Sequence, residues 1–487
     1  MRFMLLYPPG KLFQRGEDRA QCNVDDSTAV SMHACNDLGY AAAILLEKGC
    51  EVFLRDYQTE GATLEDVTKD IESFKPDVIF LSTTNGTVDS DIRFINLIRS
   101  KYNSIKTIFK GSVFFNARPE HMDQLDLQNV DFMMGEEVEL VMPLLADHLL
   151  GRIEVAEVPG LWYKSGGELK NTGFDNSHLA DLDSVPFPAR QLMNNSLYVR
   201  PDTGKPMATI VAARGCPSNC VYCLAPIIFG KHVRFRSVEN VFAEMTQCVN
   251  EFGIYDFFFQ ADTFTINQKW AMDLCDLIIG SELNGKIRFT VNARTDTVTK
   301  QLLEKLKAAG CFTIAVGFES GSDETLKKIK KGTTVEKNLR CARLLKEVGI
   351  PFYGFFMIGF PWETKKDLRM TLRHALKLDP DFIELHVALP YYSTQLFEMC
   401  AEYGTLSGDS WNHDLYTPNT TGTQSVPLSK LLSFKRRFLL RFYARPKYLL
   451  RMMRTKITDF TTFKNYFRYG LRLVKNLVFK SGKKKPT

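Results

Sequence analysis

Apolar positions along this chain follow two periods. Short apolar runs at residues 3–7, 51–56, 78–82, 106–111 and 130–134 read as strands. Between them, 39–46, 64–74 and 91–102 carry apolar residues at helical spacing. This alternation predicts a Rossmann-like, doubly wound parallel sheet over residues 1–148, with any ligand beyond the carboxyl ends of its strands. Residues 149–206 are read as a small hairpin turning at Gly166-Gly167, then an extended linker broken by Pro186 and Pro188. Strand candidates return at 208–213, 256–260, 287–292, 313–318, 352–358 and 382–387, with helical stretches between them. Six such units predict a (β/α)6 partial TIM barrel over residues 207–406, with chemistry at its carboxyl-terminal rim. Residues 407–487 form an α-helical basic C-terminal region, completing an α/β chain.

In that last region Phe463, Phe467, Leu471, Val474 and Val478 share one helical face, and Lys464, Arg468, Arg472 and Lys475 share another. Charge sharpens the picture. The formal net charge is only +6. From Phe434 onward, however, about 17 Lys and Arg stand against one acid, Asp459, leaving the remainder of the chain net acidic. The basic helix is thus either a solvated face or a contact for an anionic surface, such as the inner face of a membrane. Nucleic acid is a weaker partner, because no RNA-binding module is appended.

The apolar run at the start stops at Pro8-Pro9, too short for a secretory signal, and no run is long enough to span a bilayer. A cytoplasmic chain is expected, peripheral on the membrane if the basic region docks there. Eleven cysteines then imply a reducing compartment. Cys22, Cys35, Cys50, Cys248, Cys275, Cys311, Cys341 and Cys400 are scattered and read as small buried apolar side chains.

Three others are clustered. Cys216, Cys220 and Cys223 form C-x3-C-x2-C directly after the first barrel strand. Thiolates suit iron–sulfur clusters or zinc. A structural zinc site usually takes four ligands, and neither a second C-x2-C pair nor a His-x3-His exists here. A cubane held by three thiolates keeps one iron open.

At these residues the chain resembles the radical S-adenosylmethionine superfamily, with aromatic Tyr222 before the last cysteine. The resemblance implies a [4Fe–4S] cluster on the three cysteines, S-adenosylmethionine on the open iron, and an electron donor such as flavodoxin or ferredoxin. It extends through Phe258-Phe259-Gln260-Ala261-Asp262, where Asp262, with Gln260, would meet the methionyl ammonium. Ala261 departs from the family's first acid, and Thr265 or Asn267 there would cap the next helix. Arg294, in Arg294-Thr295-Asp296, would pair with the methionyl carboxylate or, alternatively, with Asp296. Glu319, in Gly317-Phe318-Glu319-Ser320-Gly321, would accept the ribose hydroxyls, with Ser320 or Ser322 as a cap. Gly359 and Pro361 would shape a turn near the adenine, while Glu363 and Thr364 would cap the helix that follows. Where relatives have P-Y-P-G-T, this chain has Pro390-Tyr391-Tyr392-Ser393-Thr394, which leaves the substrate class open.

The order of blocks, over roughly residues 1–406, is similar to that of cobalamin-binding radical S-adenosylmethionine enzymes, methylases among them. Ser82, Gly111, Gly135 and Glu136 lie in the matching pieces of the first block and would contact cobalamin. D-x-H-x-x-G is absent, and His33, His121 and His148 stand in no such setting. The resemblance implies radical methylation of an unactivated carbon of a lipid or secondary metabolite. Alternatives are cobalamin-independent cyclisation, coupling, dehydration or epimerisation, and a zinc-stabilised RNA- or membrane-binding protein.

Overall fold

The strand Arg2–Tyr7 (β1) is buried along nearly its whole length, as a central parallel strand covered on both faces must be. The computed structural model describes residues 1–15, 24, 32–115, 117–173, 178–407, 419–455 and 460–474. Around β1 lie Glu51–Asp56 (β2), Val78–Ser82 (β3), Lys106–Lys110 (β4) and Phe132–Met134 (β5), all parallel. The hairpin Leu161–Ser165 (β6) and Glu168–Asn171 (β7) adds two antiparallel strands at the β5 edge. Gly166 and Gly167 turn it with φ of 64° and 85°, the left-handed pair a two-residue hairpin needs. The order β2-β1-β3-β4-β5-β6-β7 puts the topological switch between β1 and β3.

The second sheet contains Met207–Val211 (β8), Asp256–Gln260 (β11), Arg288–Ala293 (β12), Cys311–Glu319 (β13), Phe352–Ile358 (β14) and Phe382–Val387 (β15). Its order is β15-β14-β13-β12-β11-β8, all parallel, giving a barrel left open between β8 and β15. Between β8 and β11, Ala213–Arg214 (β9) and Arg234–Phe235 (β10) form a two-stranded antiparallel ribbon. The linker is pinned to the barrel by Arg190, which donates to Glu244 at 2.7 Å and to the Thr209 carbonyl at 2.8 Å. Arg236 also donates to Glu244 and to the Val211 carbonyl, so one carboxylate joins two buried guanidinium groups behind β8.

Three C-terminal helices gather at the barrel. Leu428–Tyr443 buries Leu431, Phe438 and Phe442 in the barrel core. In Pro446–Thr455, the Tyr448 hydroxyl donates to the Asp381 carbonyl at 2.7 Å and Arg451 pairs with Asp379 at 2.6 Å. In Phe460–Val474, Tyr466 stacks on Phe382 at 6.0 Å, while the Asn465 amide donates to the Asp202 carbonyl at 2.9 Å. This last helix therefore bridges the amino ends of the two edge strands. Lys475 and Val478 lie outside the described residues. No described helix is long and apolar enough to cross a membrane. The scattered cysteines among the described residues are all buried, and Cys22 lies outside them.

Candidate active site

Gly215 opens the cysteine loop with φ +93°, and a Cβ there would come within 2.1 Å of the His232 carbonyl oxygen, so only glycine fits. The Cys216 amide donates to Gly230 at 3.0 Å and the Cys223 amide to Cys220 at 3.1 Å. Val221 is strapped on both sides, donating to Ile329 and accepting from Leu396. The loop thus presents Cys216, Cys220 and Cys223 to one cavity of about 1060 Å³ inside the barrel. Among the described residues, no three His, Cys, Asp or Glu converge on a single ion position. Three thiolates lining one cavity are the donor set of a cubane that keeps one iron open.

Glu319 ends β13 with φ 60° and lines the same cavity. Its Oε1 accepts from Lys331 Nζ at 2.7 Å. Gly317 makes room, since a Cβ there would lie 2.5 Å from that oxygen and 2.8 Å from Nζ. Lys331 also reaches the Tyr222 hydroxyl at 3.4 Å. Burial disfavours the Lys331 charge, but Glu319 and Cys220 outweigh it and hold the ammonium above the ordinary lysine value. Nothing in the sequence marks Lys331, one of two adjacent lysines before Gly332 that read as exposed.

Arg294 lines the cavity too, and its bidentate partner in this structure is Asp296, at 3.0 and 3.1 Å. The outer nitrogen Nη1 donates to Ser218 of the cysteine loop at 2.9 Å. A two-pronged pairing with a carboxylate ligand would require Asp296 to give way. Asp262 lines both the large cavity and a smaller cleft below the first sheet, whereas Gln260 lines only the cleft. The competing caps exist as well: Asn267 caps the helix after β11 and Ser322 the one after β13.

Gly359 has φ +89° and sits against Leu431 and Val387. Neither Gly359 nor Pro361 lines the cavity; Met357, just before them, does. Thr364 caps its helix with Asp367, as expected, but Glu363 turns back and accepts from the Gly359 and Phe360 amides at 2.7 and 3.2 Å. Burial outweighs those donors and pushes its carboxyl up to about 8. The native state then keeps a proton that the unfolded chain releases. Its stabilising contribution is complete at acid pH and is lost as pH rises toward about 8. Urea unfolding between pH 5 and 8 should show this decline, up to about 1.4 kcal/mol per pH unit, and Glu363→Gln should flatten it. An unchanged slope in the variant would assign the proton elsewhere.

The first-block candidates fall away from both cavities. The Ser82 carbonyl accepts from Arg15, whose guanidinium pairs with Asp91 at 2.7 and 2.9 Å and fills the space outside β3. Gly111 lies against Thr83, where a Cβ would come within 2.7 Å of the Thr83 carbonyl oxygen. Gly135 donates to Gly160, and Glu136 folds under Gly160. The cleft is lined instead by Asn36, Asp37, Lys110, Glu137 and Glu139. Asn36 Oδ1 and Asp37 Oδ2 are buried there without hydrogen-bond partners, two acceptors that the amide donors of a ligand such as a corrin would satisfy. Glu137 accepts from Arg234 at 2.7 and 3.0 Å, and Glu139 accepts from Arg214 at 2.8 Å. Burial works against the Glu137 charge, but Arg214 and Arg234 hold its carboxyl below the usual range. Two acids of the first block thereby clamp the ribbon that carries the cysteine loop.

His33, in no ligand setting by sequence, lines the large cavity with its ring edge-on to Phe258 at 4.6 Å. Leu389 and Tyr391 form part of the same wall. Ser393 takes φ +67° where relatives have glycine. Deeper in the lumen, Glu384 and His386 pair at 3.2 Å.

Comparison with known proteins agrees with this architecture. Residues 210–375 match the radical SAM superfamily. An uncharacterized methyltransferase of Pyrococcus horikoshii is 31% identical over 85% of this chain and 88% of its own. The anaerobic magnesium-protoporphyrin IX monomethyl ester cyclase of Cereibacter sphaeroides is 31% identical, over 54% of this chain and 43% of its own. Among solved structures, the cobalamin-dependent S-adenosylmethionine radical enzyme OxsB, with aqua-cobalamin and S-adenosylmethionine bound, superposes with a TM-score of 0.70 at 18% identity. That match covers 98% of this chain and 71% of OxsB, and it shows a shared fold.

Proposed function

The chain belongs to the radical S-adenosylmethionine superfamily, and on that premise we propose that it is a cobalamin-dependent methylase of an unactivated carbon. The observation that carries this reading is the position of Asp262, where the cleft under the first sheet meets the cavity of the three cysteines. A methyl donor seated in the cleft and a radical source seated at the cysteines would then address one carbon from two sides. When bound, the cluster with S-adenosylmethionine supplies a 5′-deoxyadenosyl radical for hydrogen abstraction, and methylcobalamin supplies the methyl group.

The chain's own residues have separable tasks in this reading. Cys216, Cys220 and Cys223 hold the cluster and leave one iron open. Asp262 receives the methionyl ammonium. Glu319, held in place by Lys331, accepts the ribose hydroxyls. Arg294 ties the cysteine loop to Asp296 and would meet the methionyl carboxylate once Asp296 gives way. Asn36 and Asp37 supply acceptors for the corrin rim. A small reductant, flavodoxin or ferredoxin, delivers electrons.

The name of the cyclase relative supports a second reading, radical cyclisation in place of methylation, which we frame as running without cobalamin. The two separate on metal content. After anaerobic reconstitution with iron, sulfide and hydroxocobalamin, desalted protein should retain about one cobalt per chain beside its cluster absorption. Cluster absorption without cobalt would transfer the proposal to the cobalamin-free reactions.

A further inference from the structure

The cavity that begins at the cysteines does not end in the middle of the barrel. Its wall continues down β14, from Met357 past Phe355 and Tyr353 to Pro351, and is mostly apolar, with polar positions that include the Glu384–His386 pair on β15 and Thr290 and Asn292 on β12. At the far end it is lined by Phe382, Tyr448, Leu449, Met453 and Tyr466. Leu449 and Met453 are also 49% and 55% exposed, so the cavity opens to the outside between the last two helices. The lumen therefore has a second mouth, opposite the cluster loop. At about 3.3 Å per residue, the stretch of β14 it follows is roughly 20 Å long, enough for a chain that spans one leaflet of a bilayer, about 15 Å.

The surface around that mouth has a composition of its own. In Phe460–Val474 the side facing the barrel is Thr462 and Tyr466, while Phe463, Phe467 and Leu471 are 44%, 58% and 55% exposed. With Phe460 they form one apolar stripe along the outside of the helix. Lys464 and Arg468 flank that stripe and are exposed, as are Lys447 and Arg454 on the preceding helix. An apolar stripe bordered by cations, on a helix whose other face is docked, suits the plane between anionic headgroups and acyl chains.

We propose that the C-terminal helices rest on an anionic lipid surface and that the lumen takes a single-chain amphiphile from it, tail first. The polar end of that substrate stays at the basic mouth. Its apolar chain runs up the lumen, so the carbon that meets the radical lies far from the headgroup. The inference rests on the radical reading of the cysteine site and adds the substrate class and its direction to it.

The test uses the full chain reconstituted with iron and sulfide. Sedimentation with phosphatidylglycerol vesicles should show binding at least about tenfold tighter than with phosphatidylcholine vesicles at low salt, and Phe463→Glu/Phe467→Glu should lose that preference. Lysophosphatidylglycerol carrying a nitroxide at the chain end should be retained about one per protein, and the reduced cluster should relax it more strongly than a nitroxide near the glycerol. Ala315→Trp, which would obstruct the lumen, should lose retention, and Ala315→Val should keep it. Equal binding to both vesicles, relaxation stronger for the head-proximal label, or retention by Ala315→Trp would each overturn the proposal. The retention comparison needs no cluster. Failure to load iron would thus count against the radical reading, while the lumen is decided separately.

Discussion

Cys220→Ala is expected to abolish reductive cleavage of S-adenosylmethionine and most of the cluster's visible absorption. All three thiols are supplied by one loop, and among the described residues no fourth cysteine lines their cavity. Cys220 is the partly exposed thiol beside the Lys330 carbonyl, so the loss of its sulfur leaves the loop's backbone contacts intact. A fall of at least about 10³-fold in 5′-deoxyadenosine formation, corresponding to about 4 kcal/mol in activation free energy, is anticipated. Iron content should fall in parallel, while far-ultraviolet circular dichroism stays as it was. Retained iron and turnover in the alanine variant would remove Cys220 from the ligand set.

The second large effect concerns stability. Glu244 is fully buried and is shared by Arg190 and Arg236, whose side chains are 1% and 5% exposed. Glu244→Leu would leave two guanidinium groups behind β8 without their counter-charge. A buried ion pair broken from one side costs about 3–5 kcal/mol, mostly because the orphaned charge remains desolvated. Replacing all three members with apolar residues of similar volume should recover most of that loss. Urea unfolding of the single and triple variants measures both. A single variant within about 0.5 kcal/mol of the wild type would mean that the network carries no net stability.

Much of this architecture was legible in the sequence because it is local. The strands of both sheets are short apolar runs, and the order of elements fixes parallel pairing. The cysteine loop was legible for the same reason, its three thiols lying within eight consecutive residues. What stayed hidden depends on distant partners. Lys331 becomes a site residue only because Glu319 ends β13 opposite it. Glu137 and Glu139 stand out only once Arg214 and Arg234 approach from the other domain. The expected corrin contacts Ser82, Gly111, Gly135 and Glu136 do not line the cleft, and Gly111 and Gly135 lie close against neighbouring loops. The C-terminal helix makes the same point differently: helical spacing identified the stripe of Phe463, Phe467 and Leu471, but not that Tyr466 and Thr462 would be the covered side.

The clamp of Glu137 and Glu139 on the cysteine loop bears on how such enzymes diverge. A domain that steadies the loop through ion pairs is useful whether or not it holds a cofactor of its own. Descendants could shed the ligand while keeping the domain, because deleting it would release Arg214 and Arg234 beside the thiols. In such a descendant the first domain would still hold the ribbon that carries the three thiols.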